Sequence, residues 1–154
     1  MARRITVANT AVPPEQDIPD STPTLHTATP VVDYFIQRNG MAYAGTHLLL
    51  DFWGCENLDR LDIIETALRE GARTAGATLL DVRLHHFTSS GGISGVAVLA
   101  ESHISIHTWP ERGYAALDIF MCGACDPYKA IPVLRRAMNP RTVQLHEQRR
   151  GLTI

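Results

Sequence analysis

The amino-acid sequence predicts an α+β domain, a two-layer sandwich in which a mostly antiparallel sheet packs two helices on one face. Several segments of strand length are apolar or alternate between apolar and polar residues, and two longer segments carry apolar residues at helical spacing. These segments do not alternate strictly between strand and helix. That order favours segregated helices over a parallel doubly wound sheet.

Residues 1–32 predict a flexible extension, because they are rich in proline, serine and threonine and lack the apolar periodicity that would offset the entropy of ordering. Residues 33–154 are predicted to form one domain, since a chain of 154 residues buries a single core. Order is expected to begin within residues 33–44. The apolar run at 46–53, which stops at Gly54, predicts the first buried strand.

The first helix is predicted to follow that strand. Asn57 or Asp59 is a candidate N-cap, since both side chains accept hydrogen bonds from the first-turn amides, and the pattern ends near Gly76. This helix is amphipathic and should lay one face on the sheet. Its apolar positions are Leu61, Ile64, Leu68 and Ala72 or Ala75.

Two further strands predict a hairpin. Residues 78–88 alternate in polarity, residues 93–100 are apolar, and the turn at 89–92 (SSGG) joins them. Residues 113–121 and 141–147 predict two more strands later in the chain. The apolar face of the segment at 78–88 consists of Leu80, Val82 and Leu84.

The second helix is predicted between those last two strands. Asp126 and Pro127 supply an N-cap and a first-turn proline, whereas Pro132 should kink the helix because it lacks a backbone N–H. The apolar positions are Ile131, Leu134 and Met138.

Composition and charge disfavour several classes of protein. The formal net charge is −2 with no basic block, which argues against nucleic-acid binding. The chain carries neither an apolar run of membrane-spanning length nor an apolar signal core at its start, so no membrane partner and a cytoplasmic location are expected. Its 3 cysteines indicate free thiols rather than a disulfide framework.

Nucleophilic, basic and acidic side chains are concentrated between Glu101 and Cys122. They could be polar residues at turns and on a half-exposed strand. A second interpretation is a non-catalytic zinc module, in which Cys122 and Cys125 join two of His85, His86, His103 and His107.

A third interpretation comes from a resemblance. The segments ESHISIHTWPE at 101–111, GYAALD at 113–118 and CG at 122–123 resemble the prokaryotic S-adenosylmethionine decarboxylases. The resemblance extends from about Gly45 to Gly151, so the residues before 33 lie outside it. It implies a proenzyme that cuts itself between Glu101 and Ser102.

In that family, the serine hydroxyl attacks the preceding carbonyl to form an ester, which β-elimination breaks. Ser102 would then become a pyruvoyl group at the start of the alpha chain, 102–154, and residues 1–101 would become the beta chain. The pyruvoyl group forms a Schiff base with S-adenosylmethionine and accepts the electrons that carbon dioxide leaves behind. No metal and no pyridoxal phosphate are implied, and the product is the aminopropyl donor for spermidine biosynthesis.

The resemblance also assigns roles to other residues. His107 matches the proton acceptor in processing, Ser94 a serine that assists processing, and Cys122 the proton donor in catalysis. Because Ser102 and His107 are five residues apart, an unbroken strand would point them to opposite faces, so a bend or bulge is expected between them.

Substrate contacts are implied for Phe87, which could stack on adenine or face the sulfonium cation, and for Glu111, which could bind ribose hydroxyls or a positive charge. The turn at 88–92 is one residue longer than is usual in the family. Arginine or ornithine stays open as an alternative substrate, because the same chemistry needs only an α-amine and a carboxylate. The family also implies a homo-oligomer of cleaved alpha/beta pairs, (alpha-beta)2, with each active site near the subunit interface.

Overall fold

The computed structural model describes residues 33–153 of the chain, and the predicted extension at 1–32 lies outside that range. Six strands form one sheet in the order β4-β5-β6-β7-β3-β8, and β1 pairs with β2 in a small separate hairpin. The strands are β1 (Ile36–Arg38), β2 (Met41–Tyr43), β3 (Gly45–Trp53), β4 (Leu79–His86), β5 (Ile93–Leu99), β6 (Ser102–Trp109), β7 (Tyr114–Cys122) and β8 (Thr142–Arg150); the helices are α1 (Leu61–Thr74) and α2 (Ile131–Met138).

All neighbouring strands of the large sheet run antiparallel, and both helices share one hydrophobic core with the sheet. The structure therefore confirms the α+β sandwich. Strands β3, β6 and β7 alternate between fully buried apolar residues, which face the helices, and partly exposed residues on the other side. We call that other side the open face. No helix among residues 33–153 is long and apolar enough to cross a bilayer.

The predicted caps and kinks differ from the observed ones. Arg60, not Asn57 or Asp59, is the N-cap of α1, and its side chain makes no capping hydrogen bond. Asn57 instead adopts a left-handed conformation and donates its amide to the carbonyl of Ala137. Pro132 lies in the first turn of α2, after a short 3-10 turn capped by Asp126, so it starts the helix rather than kinking it.

Strand β4 carries an irregularity that the sequence did not predict. The pairing with β5 shifts register between Leu79 and Asp81, and Leu80 is 63% exposed. Leu79, Val82 and Leu84 pack against the core instead. The expectation that Leu80 shares a face with Val82 and Leu84 is therefore wrong, because the extra residue of a bulge inverts the alternation that precedes it.

Candidate active site

The turn between β5 and β6 holds the predicted cleavage position. Leu99 pairs with Ser102, so Ala100 and Glu101 form a two-residue connection. Glu101 has φ of 58°, in the left-handed region that favours glycine or asparagine. A side chain with a Cβ in this region costs roughly 1 kcal/mol or more. The residue before the predicted scissile bond is therefore strained.

Ser102 begins β6 and contacts Cys122, the last residue of β7. The backbone N–H of Cys122 donates to Ser102 Oγ at 3.3 Å, and the two side chains approach to 3.6 Å between Oγ and Sγ. The Cys122 thiol also donates to the carbonyl oxygen of Glu101 at 3.1 Å. A nucleophile, the carbonyl it would attack and a proton donor thus meet at one point, which we call the Ser102 end of β6.

Ser94 and His107 meet near the opposite end of the same strand. They are direct partners across β5 and β6, and Ser94 Oγ lies 2.9 Å from His107 Nδ1. His107 is exposed on the open face. The pair is held in place by Thr108, whose hydroxyl accepts from the N–H of Ile93 at 2.7 Å and donates to the carbonyl of Leu58 at 2.8 Å.

We call the end of the sheet where Ser94 and His107 meet the His107 end. Phe87 and Glu111 also lie there. Phe87 follows β4 in a tight loop closed by two backbone hydrogen bonds, from its own N–H to the carbonyl of Gly92 and from Gly91 N–H to its own carbonyl. Its ring packs edge-on against His85 at 4.5 Å and is 42% exposed. Glu111 is exposed in the 3-10 turn that follows β6.

Strand β6 is unbroken between the two ends. Its pairings with β5 and with β7 show no register shift, so the predicted bend or bulge between Ser102 and His107 is wrong. Five residues of a regular strand span about 16 Å and reverse the face. Ser102 accordingly has the parity of the buried Ile104 and Ile106, while His107 projects from the open face. A single chain does not bring His107 to Ser102.

The open face also holds a polar network whose residues the sequence did not predict to lie together. Asp118 accepts a hydrogen bond from Ser105 at 3.0 Å and lies 3.5 Å from His47 Nε2. His103 packs edge-on against His47. Burial lowers the pKa of His103, the neighbouring His47 lowers it further, and Asp118 opposes part of this shift. Alternating polar residues on β6 and β7 are the sequence signal that could have revealed this network.

Aromatic residues cover the rest of this face near the His107 end. Tyr114 stacks between Trp53, at 4.3 Å, and Trp109, at 5.2 Å. Its hydroxyl donates to Asp51 at 2.5 Å, and this hydrogen bond together with burial raises the pKa of Tyr114 to about 12. Both tryptophans remain about two-fifths exposed, at 42% and 40%.

The other two cysteines lie in different surroundings. Burial raises the pKa of Cys55 to about 11 and also raises that of Cys125, whose thiol points at the carbonyl of Gly76. Cys122 points the other way, toward Glu101. Within residues 33–153, no three His, Cys, Asp or Glu side chains are arranged to hold a metal ion, so the zinc-module interpretation gains no support.

Comparisons with known proteins agree with one another. Residues 46–151 match the family model described as S-adenosylmethionine decarboxylase. An S-adenosylmethionine decarboxylase proenzyme from Thermomicrobium roseum is 43% identical over 74% of this chain and 99% of its own length. One from Methanococcus vannielii is 47% identical, over 73% and 93%. The crystal structure of the adenosylmethionine decarboxylase from Aquifex aeolicus superposes with a TM-score of 0.65 at 33% identity, over 73% of this chain and 94% of that one.

Proposed function

The chain belongs to the S-adenosylmethionine decarboxylase family, and from that premise we propose that it cuts itself between Glu101 and Ser102 and decarboxylates S-adenosylmethionine with the pyruvoyl group so formed. The observation that carries this proposal is the contact of Cys122 with both reacting groups, 3.1 Å to the Glu101 carbonyl and 3.6 Å to Ser102 Oγ. Its curated relatives are described as proenzymes, which fits a chain that must mature.

The bonds that form and break during maturation belong to this chain and to water. Ser102 Oγ attacks the Glu101 carbonyl carbon, and the peptide C–N bond is replaced by an ester while the Ser102 nitrogen becomes an amine. The Cys122 thiol, donating to the same carbonyl oxygen, stabilises the negative charge that develops there. Loss of the Ser102 α-proton then expels the Glu101 carboxylate, and hydrolysis of the resulting enamine releases ammonia and leaves a pyruvoyl cap.

The surroundings of Ser102 fit such a cap. Ser102 is 8% exposed at the start of β6, so a new chain end would be shielded from most of the solvent. A pyruvoyl carbonyl supplies an electron sink when carbon dioxide leaves the substrate. Cys122 then holds a proton beside the reacting carbon, because its thiol already lies within contact distance of Ser102 Oγ.

His107, as proton acceptor in processing, must come from a second subunit if β6 stays straight. We therefore propose an (alpha-beta)2 dimer in which Ser94 and His107 of the partner subunit approach Ser102. The open face suits such an interface, since Leu49, Trp53 and Val98 are each 40% or more exposed on it. In a two-fold dimer, each subunit completes the active site of the other, because the same surface of both subunits forms the interface.

Phe87 and Glu111 would enter the shared site with His107, because all three lie at the same end of the sheet. An exposed aromatic ring and a carboxylate suit adenosine and a sulfonium cation. The same machinery on arginine or ornithine is the second candidate, because a pyruvoyl group needs only an α-amine and a carboxylate in its substrate. A cytoplasmic location stays a prediction of the sequence.

The decisive experiment is an intact mass spectrum of the purified protein under denaturing, reducing conditions, beside the Ser102→Ala variant. We expect two chains, 1–101 and a pyruvoyl-capped 102–154, from the wild type, and one uncut chain from the variant. Release of carbon dioxide from labelled S-adenosylmethionine, arginine and ornithine then separates the two candidate substrates. A wild-type chain that stays uncut after long incubation would overturn the proposal.

A further inference from the structure

A short segment ahead of the family-matched region reaches the Ser102 end of the sheet. The family model begins at residue 46, whereas the structure is described from residue 33. Relatives match nearly all of their own length while covering about three-quarters of this chain, 74% in one case. Residues 33–45, which include the β1–β2 hairpin, therefore precede the region that the family model matches.

This segment contacts the turn that directly follows Cys122. The N–H of Gly123 donates to the carbonyl of Tyr34 at 3.0 Å. Gly123 has φ of 60°, and a Cβ placed on it would lie 3.4 Å from the Tyr34 ring, so that ring packs over the glycine. The Asp33 carboxylate accepts from the N–H of Phe35 at 2.9 Å, which fixes the peptide that carries the Tyr34 carbonyl.

The far side of the hairpin is fastened to the end of the sheet. Tyr43 is 2% exposed, and the guanidinium of Arg149 lies over its ring at 5.6 Å. The backbone N–H of Thr153 donates to the carbonyl of Ala42 at 2.8 Å. Between this attachment and the Tyr34 contact lies a cavity of about 620 Å³, bounded by the hairpin and by residues 123–129. The Tyr34 contact is thus a separate attachment rather than part of one continuous packed surface.

We propose that Tyr34 is a positioning residue for Cys122. Its carbonyl and ring hold Gly123, and Gly123 in turn sets the direction of the Cys122 backbone from which the thiol reaches the Glu101 carbonyl. The segment acts on the reaction without touching the reacting atoms. This inference rests on the proposed role of Cys122 in decarboxylation, and it adds a residue that the shared family region does not contain.

The test compares the full-length double variant Asp33→Ala/Tyr34→Ala with Tyr34→Phe, which keeps the ring, and with Phe35→Ala, a neighbouring aromatic that is 42% exposed against 48% for Tyr34. We expect kcat of the double variant to fall by about five-fold, the rate equivalent of the hydrogen bond lost between the Phe35 N–H and the Asp33 carboxylate, with KM within about two-fold of wild type. Both control variants should behave like wild type. Equal thermal midpoints would show that the fold is retained.

A second readout keeps the test independent of the decarboxylase activity. In the uncut Ser102→Ala background, the rate of iodoacetamide alkylation at Cys122, followed by peptide mass spectrometry, should rise when Asp33 and Tyr34 are replaced. An unchanged rate, or an unchanged kcat in a chain that is active, would overturn the positioning role. A wild-type chain that never cleaves would instead count against the proposed function, while the alkylation result would still decide the fate of Tyr34.

Discussion

The two ends of β6 differ in what they lack. At the Ser102 end, the hydroxyl, the carbonyl and the thiol are already in contact, and Ser102 is 8% exposed. At the His107 end, Ser94 and His107 hold each other at 2.9 Å and face outward with no reacting bond beside them. Under the proposed function, the Ser102 end has the scissile bond but no base, whereas the His107 end has the base but no scissile bond. This difference is the reason for proposing a site that two copies of the chain complete.

Complementation gives the largest expected effect, because its outcome is all or none. Ser102→Ala and His107→Ala chains should each stay uncut when expressed alone. When they are co-expressed with different tags, a mixed dimer places His107 of the Ser102→Ala chain beside Ser102 of the other chain. With random pairing, about half of the His107→Ala chains should then be cut, as intact mass spectrometry would show.

A second co-expression, of two variants that damage the same end of the site, serves as the control for this experiment. Ser94→Ala and His107→Ala both damage the His107 end of the site, so their mixed dimers contain no intact site and should remain uncut. Cleavage in neither mixture would mean that one chain completes its own site and that β6 bends in solution.

Cys122→Ala should have the next largest effect, because it removes the donor at the Ser102 end. In the fraction of chains that does mature, we expect kcat for decarboxylation to fall by about 100-fold or more, the usual contribution of a positioned acid. Cys125→Ala is the matched control, since that thiol points at Gly76, and it should stay within about two-fold of wild type. Equal losses in the two variants would contradict a specific role for Cys122.

Glu101→Gly tests the strained turn and should have a smaller effect. Glycine adopts φ of 58° without the steric cost that a Cβ imposes, so relief of about 1 kcal/mol in the uncut chain should slow self-cleavage by about five-fold. Glu101→Gln keeps the Cβ and should cleave at the wild-type rate. The fraction cut against time, read from denaturing gels, separates them. Identical time courses for the two variants would show that backbone strain at Glu101 does not speed self-cleavage.

The smallest expected effect concerns His103, which follows Ser102 but lies on the open face. Its pKa is lowered by burial and by His47, so the folded chain binds a proton less readily than the unfolded chain. The free energy of unfolding should therefore rise with pH up to about 6.5 and fall on acidification. Urea unfolding of Ser102→Ala across this range should show that slope, and adding His103→Gln should flatten it. An unaltered slope would assign the pH dependence to other groups.

Much of the fold follows from local patterns. The run at 46–53 corresponds to β3, and the spacing of Ile64, Leu68 and Ala72 gave the buried side of α1. The predictions that were wrong concern positions where tertiary contacts override local conformational preference. Asn57 is used to bind the carbonyl of Ala137 rather than to cap a helix. The bulge at Leu80 depends on the pairing of β4 with β5, which no single segment encodes.

The site residues were named from a resemblance, but their distribution was misjudged for a physical reason. Counting along the strand places Ser102 and His107 on opposite faces, and a bulge was expected to reconcile them within one chain. The regular pairing of β6 on both sides leaves no room for that bulge. The placement of Ser102 and His107 on opposite faces of the strand was thus predicted correctly. In the proposed dimer it needs no bulge, because His107 comes from the partner subunit.

The strand order has a consequence for the enzyme after maturation. A cut at Glu101 assigns β3, β4 and β5 to one piece and β6, β7 and β8 to the other, and in the sheet β3 lies between β7 and β8. The two pieces produced by the proposed cut would be interleaved, so backbone hydrogen bonds would hold them together although no peptide bond joined them. The uncut chain folds in a unimolecular reaction, whereas two unfolded pieces would have to associate, at a rate that depends on their concentration. The cleaved protein is therefore expected to refold inefficiently after denaturation. Efficient folding would then be limited to the period before self-cleavage.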